Sequence, residues 1–396
     1  MSEELLVIGG GIGGLAAALA ARRAGWEARL FEQAEALSEV GAGIQLGPNA
    51  TRILREWELL DGELGRQAVA PPRLRVRDGS DGDDLGVLEL GDDIAQRYGA
   101  PYLTVHRADL QSALAGAALA AGTRVHLGAR VESATQVDSV VQLRSTPHAH
   151  AAPVEGDALV AADGVWSQLR AAVIADGLPQ PTGHLAYRGL ARQQDLPAAL
   201  RSDEVTVWLA PRMHLVTYPL RGGEWLNAVC VVQGTQPGDP RDWDHAASQA
   251  QLEAALGPVC DEVRERVAAV PSWRLWILHD RPPVASAEGM ARGRLALLGD
   301  AAHPMRPYLA QGAGMAIEDA RELQRVLSVA DDRTVDVPTA LRRYALNRWE
   351  RVAQVQERSK RNGTIFHATG PLRMARNAAM AALGTRLLDQ PWLYRG

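Results

Sequence analysis

Apolar and polar positions divide the chain into segments of different period. Residues 5–8 form an uninterrupted apolar run, as expected of a strand buried on both faces. A glycine cluster and an alanine-rich stretch come next, predicting a helix from near Ile12, and then a second strand over 27–31. Residues 41–50 read as a loop leading into a helix through Trp57. From about 72 to 100 the pattern breaks into short strands with Gly and Asp turns, as at 78–82. Another helix opens at 106–110 with Asp109 in its first turn, and strands are expected at 124–127, 130–137 and 140–144. Residues 147–153 read as a mobile hairpin tip, with His148 and His150 solvated and not metal ligands. The segment 158–164 reads as a buried strand ending in the turn Asp163-Gly164, and Ser167 can cap the next helix. Residues 182–280 carry strand-like runs at 185–191, 204–209, 214–220, 226–232 and 273–278, interrupted by two short helices. A last buried strand at 295–298 runs into Gly299-Asp300, and from Gly312 the chain is mostly helical. There are no internal repeats.

The first segment carries chemistry. In Gly9-x-Gly11-x-x-Gly14 one glycine makes a tight turn, one lets a pyrophosphate approach the backbone and one packs helix on strand. The pyrophosphate would rest on the positive end of the helix. Glu32, closing the second strand 21 residues after Gly11, is placed to accept hydrogen bonds from a ribose. Dinucleotide binding by a Rossmann-like βαβ unit is the expectation. Asp163-Gly164 and Gly299-Asp300 likewise end buried strands in polar turns, at the carboxyl ends where doubly wound sheets collect ligands. The amides at the helix start near Gly312 would stabilise negative charge on a bound ring system.

Composition narrows the class. With 42 basic and 47 acidic side chains and a net charge of −5, nothing predicts a nucleic-acid surface. No apolar run approaches the roughly 18 residues of a membrane helix. Only Cys230 and Cys260 are present, which argues against a disulfide framework or a Cys-rich metal site. A first strand near residue 4 predicts no signal peptide, so a cytoplasmic enzyme without a metal, bound to neither membrane nor nucleic acid, is expected.

The Gly9-x-Gly11-x-x-Gly14 set, Ala161-Ala162-Asp163-Gly164 with Ser167 and Arg170, and Gly299-Asp300-Ala301-Ala302-His303-Pro304 together resemble the FAD-dependent aromatic hydroxylases. These are single-component flavoprotein monooxygenases with the para-hydroxybenzoate hydroxylase fold. The resemblance spans about residues 4 to 365. Within the family, residues 41–50, 106–110, 186–190 and 304–320 are most similar to hydroxylases of 3-hydroxybenzoate, salicylate and 6-hydroxynicotinate. It implies an α/β fold with a discontinuous Rossmann-like FAD-binding domain (1–72, 104–180, 280–330). A β-sheet substrate domain (73–103, 181–279) and a C-terminal helical region (331–396) complete it. By the same resemblance Gly9, Gly11, Ile12 and Gly14 hold the pyrophosphate, and Glu32 with Gln33 the adenosine ribose. Arg107 contacts the cofactor, Asp300 binds the ribityl chain, and Gly312 with Ala313 sits beside the flavin. Asp163 serves both FAD and the nicotinamide cofactor, while Arg170 is expected in a surface salt bridge. One glycine fingerprint where a two-Rossmann reductase would need two agrees with NADH or NADPH binding only transiently. Relatives are often dimers, so a homodimer is the expected state.

The implied reaction uses NAD(P)H and O2: reduced flavin forms a hydroperoxide, which a phenol attacks best when its hydroxyl is at least partly deprotonated. A base near that hydroxyl is then useful. His214 and Tyr218, four apart on a predicted strand, share a face and can line one pocket wall. His214 is assigned as base and Tyr218 as substrate-orienting donor. Gln45 and Tyr308 occupy positions where the hydroxynicotinate enzyme carries histidines. Arg188 can meet a carboxylate bidentately, and Arg306 is a second candidate. The expected substrate is a small hydroxybenzoate. The alternatives are a hydroxynicotinate, a larger polycyclic ring, or a flavoprotein that does not hydroxylate.

Overall fold

The computed structural model describes residues 3–37, 42–146, 153–235, 245–330 and 335–395. His148 and His150 lie outside them. The chain is α/β and forms two compact units, each assembled from three segments.

The first unit comprises residues 1–40, 108–180 and 280–358. Its main sheet holds Glu4–Ile8 at the centre, flanked in parallel by Ala158–Ala161 and Glu27–Phe31. Leu295–Leu297 and Arg124–His126 extend it in parallel on either side, and Ala291–Arg292 closes one edge antiparallel. The central strand is buried from Leu5 to Ile8, as the unbroken apolar run requires. Helix Ile12–Arg23 packs closely because Gly14 and five alanines make up most of its buried residues, beside Ile12, Leu15 and Leu19. A Cβ at Gly14 would lie 1.8 Å from the Gly9 oxygen, so only glycine permits this approach. The helix Val337–Phe366 is pinned to the sheet by its buried Tyr344, whose hydroxyl donates to the Leu297 oxygen at 2.8 Å.

The second unit comprises residues 41–107, 181–279 and 359–396. Its eight-stranded sheet includes the long strands Gln180–Arg192, Val205–Ala210, Met213–Leu220, Trp225–Gln233 and Trp273–Asp280. Alternation sorts side chains cleanly between its faces. Leu185, Tyr187, Trp208, Met213, Leu215 and Cys230 build one core with residues of the helices Gln249–Ala255 and Asp261–Ala269. The opposite face carries His184, Arg188, His214, Val216, Tyr218, Asn227 and Val229.

By their contacts, residues 41–72 and 104–107 fall in this second unit, although the sequence pattern places them with the nucleotide-binding part. Strand Gly43–Leu46 pairs antiparallel with Leu103–His106, and the Gly43 amide donates to Asn227 of the large sheet at 2.8 Å. The boundary within the C-terminal helices lies inside the helix Val337–Phe366, not at 331. One helix, Gly91–Tyr98, stands where short strands are expected. It has Asp92 and Asp93 in its first turn, Arg97 in its last, and Gly99 left-handed at its end.

Candidate active site

In the first unit the glycine loop is shaped for an anion. Gly9 has φ 102, and a Cβ there would lie 2.4 Å from the Ala162 oxygen. A Cβ at Gly11 would instead meet nothing within 4 Å, leaving open space beside the first turn of the helix starting at Ile12. Gly11 caps that helix with no side chain, so its first amides are left for a ligand. Gln111, in helix Arg107–Ala120, steadies the loop by donating to the Gly10 oxygen at 3.0 Å. Glu32 accepts from the Gly10 amide at 2.5 Å and from the Ala34 amide at 2.8 Å. Each oxygen keeps a lone pair for a ribose hydroxyl. Gln33 beside it is exposed.

Asp163 Oδ2 accepts from the Gln168 amide at 3.1 Å, while its buried Oδ1 finds no hydrogen-bond partner. Burial raises its carboxyl above the usual range. An orphaned acceptor of this kind fits a hydroxyl or amide supplied by a ligand. Ser167 accepts from the Arg170 amide at 3.0 Å, but the cap residue of the short helix Arg170–Val173 is Leu169, which makes no side-chain capping bond, so the expected Ser167 cap is not formed. Arg170 overturns the expectation of a surface salt bridge. It is 1% exposed, pairs with Asp176, and donates to the carbonyls of Ala301 and Ala302 at 2.7 and 2.5 Å. A side chain tied to the turn after Gly299-Asp300 must be desolvated, and the carbonyls with Asp176 compensate it.

Asp300 is exposed in that turn, and a Cβ at Gly312 would lie 3.9 Å from its Oδ1. The structure thus brings Asp300 to the start of helix Gly312–Leu327, whose cap residue Gln311 makes no side-chain capping bond. Ala313 lies in the same open first turn. A buried network holds this corner. Asp319 accepts from the Gly299 amide at 3.1 Å, faces His303 Nε2 at 2.5 Å and accepts from Arg348 at 2.7 Å. Arg348 also pairs with Glu318, which pairs in turn with Arg351. Burial acts to raise the Asp319 carboxyl, but His303 and Arg348 outweigh it and hold it at about 2. Sequence reasoning missed Asp319 and Arg348, which are separated along the chain and carry no motif. Arg306 pairs with Asp280 at 2.6 Å, so its charge is already matched. Tyr308 is buried, which pushes its phenol up. The open glycine cradle, the orphaned Asp163 oxygen and the uncapped helix beside Asp300 together fit FAD.

The second unit presents a partly exposed row of side chains, a candidate floor, on one face of its sheet. Val216 is the residue of strand Met213–Leu220 that is not buried, and it pairs across strands with Val229, which pairs with Arg188. All three are partly exposed. His214 lies in the next same-face row on one side, and Tyr218 with Asn227 in the row on the other. The strand rise puts the Cα atoms of His214 and Tyr218 about 13 Å apart. Arg188 lies over the Trp276 ring at 4.2 Å from its centroid, a stack that orients the guanidinium.

Tyr218 is 3% exposed and raised by burial, with Arg188 and a hydrogen bond from Gln45 acting the other way. Tyr102 donates to Gln45 Oε1 at 2.6 Å. Its amide nitrogen is then the donor to Tyr218, whose own O–H is left to point at a ligand. Asn227, fully buried, accepts from Gly43 through Oδ1, while its Nδ2 has no hydrogen-bond partner. Neither Tyr102 nor Asn227 carries a sequence signal. His214 is 2% exposed and its Nδ1 lies 2.8 Å from His367 Nε2. Burial, aided by His184, lowers it to about 3, so it is a neutral acceptor at pH 7. Arg107 starts its helix at the end of this unit's first segment, its amide donating to Ala42. No group of His, Cys, Asp and Glu among the described residues could hold a metal ion. None of the described helices is long and apolar enough to cross a membrane.

The family described as FAD binding domain matches residues 3–359. The chain is 38% identical over 392 residues to a 3-amino-4-hydroxybenzoate 2-monooxygenase of Streptomyces platensis, covering 99% of this chain and 95% of that protein. It is 36% identical over 374 residues to the 3-hydroxybenzoate 6-hydroxylase of Polaromonas naphthalenivorans, covering 94% and 90%. A salicylate hydroxylase substrate complex matches with a TM-score of 0.81 and 25% identity, over 100% of this chain and 96% of that one.

Proposed function

The chain belongs to the FAD-binding family of aromatic monooxygenases, and on that premise we propose that it hydroxylates a small hydroxybenzoate-type acid. Bound FAD, reduced by NADH or NADPH, supplies the activation of O2. The residues proposed to hold it are Gly9, Gly11, Ile12, Gly14, Glu32, Gln33, Arg107, Asp163, Asp300, Gly312 and Ala313.

The observation that carries the substrate assignment is the floor of Val216, Val229 and Arg188 between the His214 and Tyr218 rows. One apolar patch takes a ring. One stacked guanidinium, about 10 Å across two strands from Val216, takes a carboxylate. His214 Nε2, the nitrogen not engaged by His367, accepts the phenol proton. Tyr218 O–H and Asn227 Nδ2 steady the polar substituents from the other side. The names of the two curated relatives, both acting on hydroxybenzoates, favour the same substrate class. Each role is a positioned proton or charge, which general base catalysis and carboxylate recognition require. We place the enzyme in the cytoplasm as a homodimer.

The test is NADH and NADPH oxidation by FAD-loaded protein against hydroxybenzoates, hydroxynicotinates and bicyclic phenols, with products identified by mass. One hydroxybenzoate that stimulates turnover and gains a single oxygen supports the reading. Stimulation by a bicyclic phenol alone refutes it. Arg188→Met should raise KM for the acid far more than for a phenol without a carboxyl.

A further inference from the structure

The helix Gly370–Leu383 of the second unit turns its polar side to the protein and its apolar side to water. Arg373 and Arg376 are its only charged residues. Arg373 pairs with Asp78 at 2.8 Å, and Asn377 donates to the same carboxylate. Arg376 is buried and donates to the carbonyls of Phe366 at 2.9 Å and Ile365 at 3.3 Å. Met380 packs against the apolar cluster of Val76 and Leu209. These ties fix which side of the helix looks outward. The outer side is Pro371, Met374, Ala375, Ala378, Ala381 and Ala382, all exposed. Spacings of three and four make them one continuous stripe down the helix. Leu372 and Leu383 flank it at 52% and 46% exposed, and Met374, at 74%, is the most exposed large apolar side chain among the described residues. The stripe and its flanks leave roughly 500 Å² of apolar surface in one patch, the size that marks interaction sites, and two such patches face to face would cover about the 1,000 Å² a specific interface needs.

We propose that this stripe is covered by the same stripe of a second copy, the two helices running antiparallel across a two-fold axis at Ala378. The inference rests on the enzyme being a homodimer and assigns the surface that makes it one. Bulky residues lie toward the N-terminal end of the stripe and alanines toward its C-terminal end, so the face complements itself when reversed. The axis sets Met374 against the partner's Ala382 and Ala375 against the partner's Ala381, an isologous contact in which large meets small. Alanine at the crossing lets the helix axes approach to about 8 Å. The chemistry of the face also selects this occupant. A charged partner finds nothing to pair with, because both arginines are spent inward. A lipid surface calls for Lys or Arg bordering the apolar stripe, and this helix has none left to offer. The core of a homodimer interface is apolar and poor in charge, as this stripe is.

The test is sedimentation velocity of full-length, FAD-loaded protein at micromolar concentration. Wild type should run at twice the chain mass. Ala378→Arg sets two guanidinium groups against each other on the axis. The position is exposed and Arg is a good helix former, so circular dichroism and FAD content should stay at wild-type values. The dimer dissociation constant should rise by about 100-fold or more. Leu178→Arg puts the same charge on an exposed leucine of the first unit and should leave the dimer intact. Ala378→Cys should join two copies through a disulfide on mild oxidation, because the axis brings the two side chains within bonding reach. A dimer that survives Ala378→Arg, or one that Leu178→Arg disrupts equally, overturns the surface and leaves the homodimer standing. A failure of Ala378→Cys to cross-link overturns the antiparallel axis. A monomeric wild type overturns both the surface and the homodimer. If that monomer sediments with phosphatidylglycerol vesicles and Ala378→Arg does not, the stripe is a lipid-binding face and the proposal is wrong.

Discussion

Asp319 offers the sharpest test of how the FAD corner is held. The carboxylate is 0% exposed and takes hydrogen bonds from the Gly299 amide, His303 and Arg348. Asp319→Asn keeps the shape but removes the charge that both partners face. Removing one member of a buried pair typically costs about 3–5 kcal/mol. Arg348 retains Glu318 at 2.7 Å, so the low end, about 3 kcal/mol, is expected. Acid titration gives a separate measure. The carboxyl sits at about 2 against an ordinary 3.8, which makes the charged form worth about 2–3 kcal/mol to the folded state. Because the folded value is the lower one, that stability is present above about pH 4 and is lost as pH falls toward 2. Thermal unfolding at pH 7 should show the variant melting about 3–5 °C lower. FAD affinity, read by flavin fluorescence quenching, should fall roughly 5–30-fold, since loosening the Gly299-Asp300 turn removes about 1–2 kcal/mol of preorganisation. A melting point within about 1 °C of wild type would refute the energetic argument. Destabilisation with unchanged FAD affinity would show that the network supports the core and not the turn.

The same geometry sets three further outcomes. Gly11→Ala should fold with unchanged apoprotein stability, because its Cβ meets no atom within 4 Å; it should nonetheless weaken FAD binding, whereas Gly14→Ala, 1.8 Å from a backbone oxygen, should fail to fold. Calorimetry and FAD titration separate the two. Tyr102→Phe frees the Gln45 amide to turn and should weaken binding of the hydroxybenzoate by about 0.5–1.5 kcal/mol, seen in KM, with melting nearly unchanged. His214 and His367 are held at about 3 and about 2, chiefly by burial, against an ordinary 6.5. Stability is therefore complete above about pH 6.5 and should decline below it by about 1.4 kcal/mol per pH unit for each ring; denaturant titrations of the His214→Gln/His367→Gln protein should lack that slope.

The local pattern was enough for most elements. Leu5 to Ile8 announces a doubly covered strand, and the glycines after it announce a tight turn, because hydrophobic period and left-handed backbone are properties of a few adjacent residues. The pairing of His214 and Tyr218 on one face was legible for the same reason, since strand alternation is local. Helix Gly91–Tyr98 was legible as well, in its acidic first turn and terminal glycine, yet a stretch with so few apolar residues reads more readily as short strands. What no window of sequence contains is which distant segments meet. Arg170 reads as a surface charge until the fold sets it against the carbonyls of Ala301 and Ala302. Asp319 and Arg348 stand on different helices and acquire their roles only when both are buried on Gly299 and His303. His367 comes from the last helices to sit on His214, and Gln45 reaches Tyr218 from a segment expected elsewhere. The sequence determined the family, the cofactor chemistry and the strands that carry them. Tertiary structure alone decided which polar groups are desolvated together, because hydrogen-bond partners and charge stabilisation depend on distance in space and not along the chain.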